Sequence, residues 1–432
     1  MKYYEYLFLL AVTLVMACST ESEITPEDFF VKYYGTQDEQ RAADFQVNAE
    51  GQYILFGTRK VDDETANDFY MLKVDQQGNL INTVTLGIED TAGNANNELA
   101  YRIKVIDQGY LIVGSTAPLN EAFIAGQRLL YWAHLDEDFE VVTQVIDTVN
   151  GGVGDLEGTD IFYTSGDSVL ISGYSEAFEN NQSGQPEDGT TKLFVGKWNL
   201  DGELGWKKTY GFSGSNDAAK AIFEKSNGDI VVFGTTDEVG SNGEGGQNVV
   251  VYQLNSYGTS PVGQVPRYGT IGDDELNRVI RISGGFAAVG TSFIGNVSNP
   301  FIMILDEEAR MVSEDNLIFE VDFKEDDPFD GIGLGVTRAA NNDFVVVGRV
   351  LDYEDENDLA KNDEMMFIRT TQSGQQISGV IRNFGLVAGN DEAISALTLD
   401  DGAIVVLGTS DFGSGVTLIT LMKMNADGLI KN

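Results

Sequence analysis

Short runs of apolar residues recur along the chain, and glycine, asparagine or aspartate usually lies at their boundaries. Seven of these runs end in Gly-Thr or a close variant. The repeated glycines are Gly57, Gly114, Gly173, Gly234, Gly290, Gly348 and Gly408. They are separated by 57, 59, 61, 56, 58 and 60 residues. Spacing this regular predicts an internal repeat of about 58 residues.

The residues around each repeated glycine predict four strands in every repeat. A first strand precedes the glycine run, as in residues 219–223, and a third apolar strand follows a loop of variable length. The third strand ends in a tight turn such as Asp75-Gln-Gln-Gly78, where glycine allows a positive φ. A fourth strand follows, as in residues 206–211. Because the central runs do not alternate between apolar and polar residues, we expect both faces of these strands to be covered.

Four short antiparallel strands in each of seven repeats predict an all-β fold, a seven-bladed β-propeller. The seventh repeat reaches only its third strand before Asn432. Residues 30–36 match the fourth-strand segments at 206–211 and 266–270. We therefore expect the N-terminal strand to complete the last blade, because ring closure removes open sheet edges.

The first residues have the pattern of a targeting segment. Lys2 is followed by an apolar stretch over residues 6–17, which is shorter than a comfortable membrane span. Residues 15–18, Val-Met-Ala-Cys, resemble the lipobox of bacterial lipoproteins, and Cys18 is the only cysteine. We expect a signal peptide at 1–17, lipidation of Cys18, an acidic tether at 18–27 and the propeller at 28–432.

The repeats and the acidic segment after Cys18 together resemble one group of proteins. The pattern G-G-Y-I-V-x-G-T followed by L-x-K-L-D-x-x-G resembles the repeats of uncharacterised seven-bladed propeller lipoproteins from Bacteroidetes-type bacteria. This resemblance covers residues 28–432 and implies a fold but little chemistry. An acidic stretch after the lipidated cysteine is similar to a surface-export signal. It implies a lipid anchor in the outer membrane, facing the cell surface, with the periplasmic face as the alternative.

The chain carries 68 acidic and 27 basic residues, a formal net charge of −41. Such a surface repels nucleic acids and anionic membranes, and it attracts metal cations or basic partners. The single histidine, His134, excludes any site that needs two histidine ligands. It falls at a repeated position that is mostly polar, which favours a structural role. No catalytic motif is present, so the sequence predicts that the chain is not an enzyme.

Long loops and interblade links are expected on one face of the ring, and that face is acidic. Ca²⁺ binds several carboxylate and carbonyl oxygens, so we expect a cation or ligand site there. The metal is unknown, Ca²⁺ is one candidate, and no other cofactor is expected. The alternative is that these acids cap turns and solvate the face. The candidate residues are Asp217, Asp273, Asp274, Glu275, Asp352, Asp355, Asp391 and Glu392.

These features favour a monomeric binding or scaffolding lipoprotein that acts through its acidic long-loop face at the outer membrane. Its partner would be an outer-membrane protein complex or a glycan, and nucleic acid is excluded. Two other functions stay open, a carbohydrate-active propeller enzyme and a Ca²⁺-dependent surface adhesin. Glycoside cleavage needs a pair of carboxylates, and acids spread over all repeats single out no such pair.

Overall fold

A computed structural model provides the structure, and it describes parts of all seven repeats. The described ranges are 29–36, 39–60, 66–89, 96–118, 127–149, 154–176, 190–238, 246–260, 265–270, 272–295, 297–312, 317–318, 330–352, 362–385, 389–413 and 415–430. The predicted signal peptide at 1–17, the lipidation site Cys18 and the tether at 18–27 lie outside these ranges and stay predictions. Within these ranges, no helix is long and apolar enough to cross a membrane.

The described residues form 28 strands in seven four-stranded antiparallel sheets, which confirms the predicted seven-bladed β-propeller. Strand β1 (Phe30–Tyr34) belongs to the last blade. Blades 1 to 3 contain β2 (Gln40–Val47), β3 (Tyr53–Lys60), β4 (Asn67–Val74) and β5 (Leu80–Leu86), then β6 (Asn96–Ile106), β7 (Gly109–Pro118), β8 (Leu129–Leu135) and β9 (Val141–Asp147), then β10 (Leu156–Tyr163), β11 (Ser168–Ser175), β12 (Lys192–Asn199) and β13 (Leu204–Tyr210).

The remaining four blades follow in chain order. Blades 4 and 5 contain β14 (Asp217–Glu224), β15 (Ile230–Thr236), β16 (Asn248–Leu254) and β17 (Arg267–Tyr268), then β18 (Asp273–Ile282), β19 (Gly285–Ile294), β20 (Val297–Asp306) and β21 (Leu317–Ile318). Blade 6 contains β22 (Gly331–Arg338), β23 (Phe344–Asp352), β24 (Asn362–Thr370) and β25 (Gln376–Phe384), and blade 7 contains β26 (Glu392–Thr398), β27 (Ile404–Asp411) and β28 (Thr417–Met424).

The first strand of the chain closes the ring, as the sequence predicts. Strand β1 pairs antiparallel with β28, so that blade 7 has the order β1-β28-β27-β26. Phe30 and Tyr34 of β1 are buried, and the Tyr34 hydroxyl donates a hydrogen bond of 2.9 Å to the Gly78 carbonyl in blade 1. The strand therefore links the last blade to the first.

The hydrophobic core lies between neighbouring blades rather than within one sheet. Trp132 of blade 2 and Trp198 of blade 3 pack with ring centroids 6.2 Å apart, inside a cluster that also includes Ile171. Between blades 7 and 1, Phe45 packs in a cluster with Leu421. Each second strand faces two blades at once. This explains why its residues are apolar without alternation.

The short turns and the strand ends that border the long loops lie on opposite sides of the ring. In blade 1 the first and second strands are joined by residues 48–52, and the third and fourth by residues 75–79. In the latter turn, the Asp75 carboxylate accepts hydrogen bonds from two backbone amides, and Gly78 has φ +80°. We call this side the short-turn face. The opposite side, with the interblade links and long loops, is the long-loop face.

A β-bulge interrupts the pairing of the first and second strands in every blade. In blade 1 it falls between Ala42 and Asp44, and Ala42 lies opposite the repeated glycine Gly57. The equivalent glycine pairs with the residue before the bulge in each of the other six blades. The repeated glycines therefore mark the bulges, which line the central channel.

Candidate functional site

A cavity of about 360 Å³ lies in the central channel. Its lining comes from first-strand residues at and beyond the bulges, such as Asp44 and Gln46 in blade 1 and Arg278 and Arg281 in blade 5. First strands run from the long-loop face toward the short-turn face. The cavity therefore lies in the half of the channel nearer the short-turn face. Its volume is in the range of small-molecule sites, roughly 300–1,000 Å³.

The charged side chains of this cavity share one position in the repeat, the residue directly after the bulge. A bulge re-aims the side chain next to it, which in a propeller turns that side chain toward the ring axis. In blades 1 to 7 the residues at this position are Asp44, Arg102, Asp160, Ala221, Arg278, Gly335 and Ser395. We call Asp44, Arg102, Asp160 and Arg278 the channel cluster.

Asp44 is a buried acceptor held from three blades. Arg278 donates to its Oδ1 atom over 2.7 Å, and the Ser395 hydroxyl donates to the same atom over 3.2 Å. The backbone amide of Ile103 donates to Oδ2 over 3.3 Å. Hydrogen bonds between charged groups, such as the one from Arg278, are shorter and stronger than those between neutral groups. The contact with Arg278 also joins blade 5 to blade 1 across the channel.

Arg102 and Asp160 form a looser pair beside this contact. The closest charged atoms, Arg102 Nε and Asp160 Oδ1, are 3.9 Å apart. Arg102 also donates to the Asn277 carbonyl over 3.3 Å, and Asp160 accepts from the Ile222 amide over 2.8 Å. Burial, followed by the positive charge of Arg278, lowers the pKa of Arg102 to about 10. Burial raises the pKa of Asp160.

Beyond the channel cluster, the lining has both charged and aromatic side chains. Lys104 and Arg281 lie two and three positions after the channel cluster residues of their own strands and carry two further positive charges. Phe162 and Phe223 are half-buried, with ring centroids 6.1 Å apart. We call the end of the cavity at the bulges its inner end. Lys220, at the bulge of blade 4, lines this end and pairs with Glu275 over 3.4 Å. The cavity thus has a charged inner end and a partly apolar wall.

Three of the predicted site residues are buried at the start of a first strand, beside an interblade link. Asp217 accepts from the Phe212 amide over 3.1 Å and pairs with the buried Lys192 at 3.5 Å. Asp274 accepts from the backbone amide of Thr270. Asp391 accepts from the Asp411 amide over 3.2 Å. These contacts match the alternative in which the acids cap turns.

Of the other five predicted residues, the structure describes the side chains of three, Asp273, Glu275 and Glu392. Asp273 accepts from the Gln247 amide over 2.8 Å, and Glu275 contacts Lys220 at the channel. Burial raises the pKa of Glu392. Asp352 ends β23, where its backbone pairs with Asn362, and Asp355 lies outside the described residues. Among the residues that the structure describes, no group of three or more His, Cys, Asp or Glu side chains is arranged to hold a metal ion.

A second polar cluster surrounds Glu157 on the long-loop side of the channel. Its carboxylate accepts from the Tyr101 hydroxyl over 2.7 Å, from Ser115 over 3.0 Å and from the Tyr174 hydroxyl. Arg128 Nε lies 3.8 Å from the same carboxylate. Burial, then the charge of Glu157, raises the pKa of both tyrosines. The acceptor atoms of Glu157 are thus occupied by neighbouring side chains, which indicates a structural network.

His134 is also structural. It is 5% exposed, and its Nε2 atom lies 3.1 Å from the Gln108 carbonyl. This fits the structural role that the repeat position predicts for it.

Sequence reasoning missed the channel cluster. A signal was present, because a charged residue stands 12 or 13 positions before the repeated glycine in blades 1, 2, 3 and 5. Charges inside otherwise apolar strands are unusual enough to single out. The acids in the loops drew attention instead because they are more numerous in the sequence.

Comparisons with known proteins assign the chain to no family. No protein-family pattern matches it, and no curated protein does. Solved structures that it is similar to include an α-L-arabinofuranosidase from Fusarium graminearum, with 9% identity, coverage of 93% of this chain and 96% of that one, and TM-score 0.45. An α-L-arabinanase from Penicillium chrysogenum has 9% identity, coverage of 93% and 99%, and TM-score 0.46. YCF48 from Cyanidioschyzon merolae has 11% identity, coverage of 91% and 98%, and TM-score 0.47.

The prediction that the chain is not an enzyme is wrong, because solved structures similar to it include an arabinofuranosidase and an arabinanase. Those activities belong to the other proteins, and at 9% identity the similarity says nothing about individual site residues. The prediction rested on the absence of a catalytic motif within one stretch of sequence. The channel carboxylates Asp44 and Asp160 come instead from two blades.

Proposed function

We propose that this chain is a carbohydrate-active β-propeller that holds a saccharide in the channel cavity and uses Asp160 as a proton donor. The observation that carries the proposal is the pair of carboxyl groups, Asp44 and Asp160, in different environments at the inner end of one cavity. The binding part of the sequence prediction is thereby kept, but the site moves from the acidic loops to the channel. Its position at the outer membrane stays a sequence-based prediction.

The lining suits a sugar because a sugar ring is polar at its edge and apolar on its faces. Half-buried Phe162 and Phe223 present apolar surface on one side of the cavity. Arg102, Asp160 and Lys220 present donors and acceptors nearer the inner end. Small-molecule sites typically combine an apolar wall with a few well-placed polar groups of this kind.

The two carboxyl groups have environments that suit different roles. Burial raises the pKa of Asp160, so this group keeps its proton to a higher pH than an ordinary aspartate. A protonated carboxyl group can donate its proton to the oxygen of a glycosidic bond as that bond breaks, while a water molecule adds to the anomeric carbon. The proton that this water loses restores the acid, so the net reaction is hydrolysis. Asp44 is buried and accepts a hydrogen bond from Arg278, so its role is to fix the position of the arginine.

The experiment measures saccharide cleavage by the purified full-length chain across a panel of oligosaccharides. We expect at least one substrate, and an Asp160→Asn variant that binds it but turns over about 10² to 10⁴ times more slowly. Activity should fall as the pH rises through the raised pKa of Asp160, because the protonated form is the donor. Asp138→Asn, an exposed turn residue in blade 2, is the matched control and should keep full activity.

Two results would overturn the proposal. One is a chain that neither binds nor cleaves any saccharide in the panel. The other is an Asp160→Asn variant with wild-type turnover, which would show that Asp160 in the channel is not the proton donor. Circular dichroism and melting curves of each variant exclude misfolding as the cause of a loss.

A further inference from the structure

The cavity has the opposite charge balance to the chain as a whole. Its lining includes five basic residues and two acidic ones, whereas the chain has 27 basic and 68 acidic residues. The basic residues are Arg102, Lys104, Lys220, Arg278 and Arg281, and the acidic ones are Asp44 and Asp160. A concave site with low-dielectric walls concentrates such a field locally. Charges on the outer surface are screened over about 8 Å at physiological salt, so they do not cancel it.

The basic groups at the inner end are only partly neutralised. Arg278 uses one nitrogen on Asp44, while its Nη1 atom is buried and has no hydrogen-bond partner among the described residues. The nearest carboxylate atom to Arg102 is 3.9 Å away, on Asp160. The positive charge of Arg278 adds to burial in lowering the pKa of Arg102. Of the two arginines, only Arg278 has a carboxylate within hydrogen-bonding distance, so the positive charge of Arg102 is only loosely balanced.

The basic groups farther along the strands are also available to a ligand. Lys104 has no ion-pair partner among the residues described here, and it is half-buried on the cavity lining. Arg281 donates to the Glu224 carbonyl over 3.2 Å, and its nearest carboxylate, on Glu307, is 4.0 Å away. Arginine and lysine placed in this way bind carboxylate or sulfate groups.

We infer that the ligand of the channel cavity is an acidic saccharide, whose carboxylate or sulfate group is bound by the arginines and lysines of the lining. This inference rests on the proposed function for the sugar part and on the charge balance for the acidic part. A neutral sugar would leave the excess positive charge unpaired. Positive charge develops on the sugar ring during cleavage, and the positive potential of the cavity would oppose it. A bound carboxylate or sulfate group would offset that potential.

The test compares acidic and neutral sugars that differ at one carbon. Isothermal titration of the full-length chain uses the pairs glucuronate with glucose and galacturonate with galactose, together with inorganic sulfate. We expect at least one uronate to bind about tenfold or more tightly than its neutral partner. Its affinity should fall as salt is raised, because screening weakens the contact.

A matched pair of charge variants locates the effect. Lys104→Gln should weaken uronate binding roughly two- to fivefold and leave the neutral sugar unchanged. Arg41→Gln removes the same charge from an exposed residue on the long-loop side, and it should leave both affinities unchanged. Equal losses in both variants would contradict a local effect and overturn the inference.

The outcomes separate this inference from the proposed function. Equal affinity for a uronate and its neutral partner would overturn the inference that the ligand is acidic, while the proposed saccharide site would be kept. Sulfate binding as tightly as any uronate, with no sugar dependence, would overturn the saccharide and keep an anion site. Absence of binding by every probe would overturn both.

Discussion

The repeated glycine of each blade is required by the neighbouring backbone and not by its own φ angle. A Cβ atom on Gly348 would collide with the carbonyl oxygen of Ile332, in the strand segment just before the bulge. The equivalent collision, with a first-strand carbonyl oxygen, occurs at all seven repeated glycines. The glycine is therefore part of the bulge, and the bulge is what presents a side chain to the channel.

Replacing one of these glycines should cost stability. We expect Gly348→Ala to lower the free energy of unfolding by about 1–3 kcal/mol, because the added methyl group must push the first strand of blade 6 aside. Denaturant titration measures the change. Gly166→Ala is the control, since nothing lies within 4 Å of its Cβ position and its φ is not positive. Equal stability of the two variants would contradict the steric reason for the repeat.

At the scale of elements, strand β1 makes contacts in two blades although it has only five residues. It provides the fourth strand of blade 7, and it buries Phe30 and Tyr34 in the core between blades 7 and 1. The Tyr34 hydroxyl reaches the Gly78 carbonyl of the next blade. Without β1, strand β28 would present an unpaired edge to solvent.

Deletion of residues 29–36 should therefore destabilise the whole ring. We expect the melting temperature to fall by roughly 10 °C or more, because two buried aromatic side chains and one strand pairing are lost. Differential scanning calorimetry checks this. Tyr33→Ser serves as the control, since Tyr33 is 42% exposed and the change should have a small effect. An unchanged melting temperature after deletion would mean that face packing alone holds the ring closed.

At the scale of the whole molecule, the channel cluster ties together blades that are distant in sequence. Arg278 of blade 5 binds Asp44 of blade 1, and Arg102 of blade 2 donates to the Asn277 carbonyl of blade 5. These contacts cross the axis of the ring, so they resist its opening as well as shaping the cavity. The same residues thus contribute to the stability of the ring and to the charge of the site.

Removing one partner of this contact should be worse than removing both. We expect Asp44→Ala to cost about 3–5 kcal/mol, because Arg278 would keep a buried charge beside Arg102 without its counter-charge. The double variant Asp44→Leu with Arg278→Met should recover much of that loss, since neither charge remains. Denaturant titration of the wild type, Asp44→Leu, Arg278→Met and the double variant measures the coupling. Strictly additive losses would show that the two side chains do not depend on each other.

The amino-acid sequence by itself determined the number of blades, the four strands of each and the closing role of β1. These features depend on signals that are close together in the chain, such as the spacing of Gly57 from Gly114 and the turn at residues 75–79. The tertiary structure alone decided where the site lies. Asp44, Arg102, Asp160 and Arg278 come from four blades and meet only when the ring closes.

The bulges are the second reason why the sequence did not reveal the site. They break the period-two alternation from which the direction of a strand side chain is inferred. A net charge of −41 predicted cationic ligands for the whole surface, whereas the channel collects five basic residues in one cavity. Composition sums charges over the chain without regard to position. Only the folded ring determines which charged residues face one another. In the channel cavity the basic residues outnumber the acidic ones, although the chain as a whole is acidic.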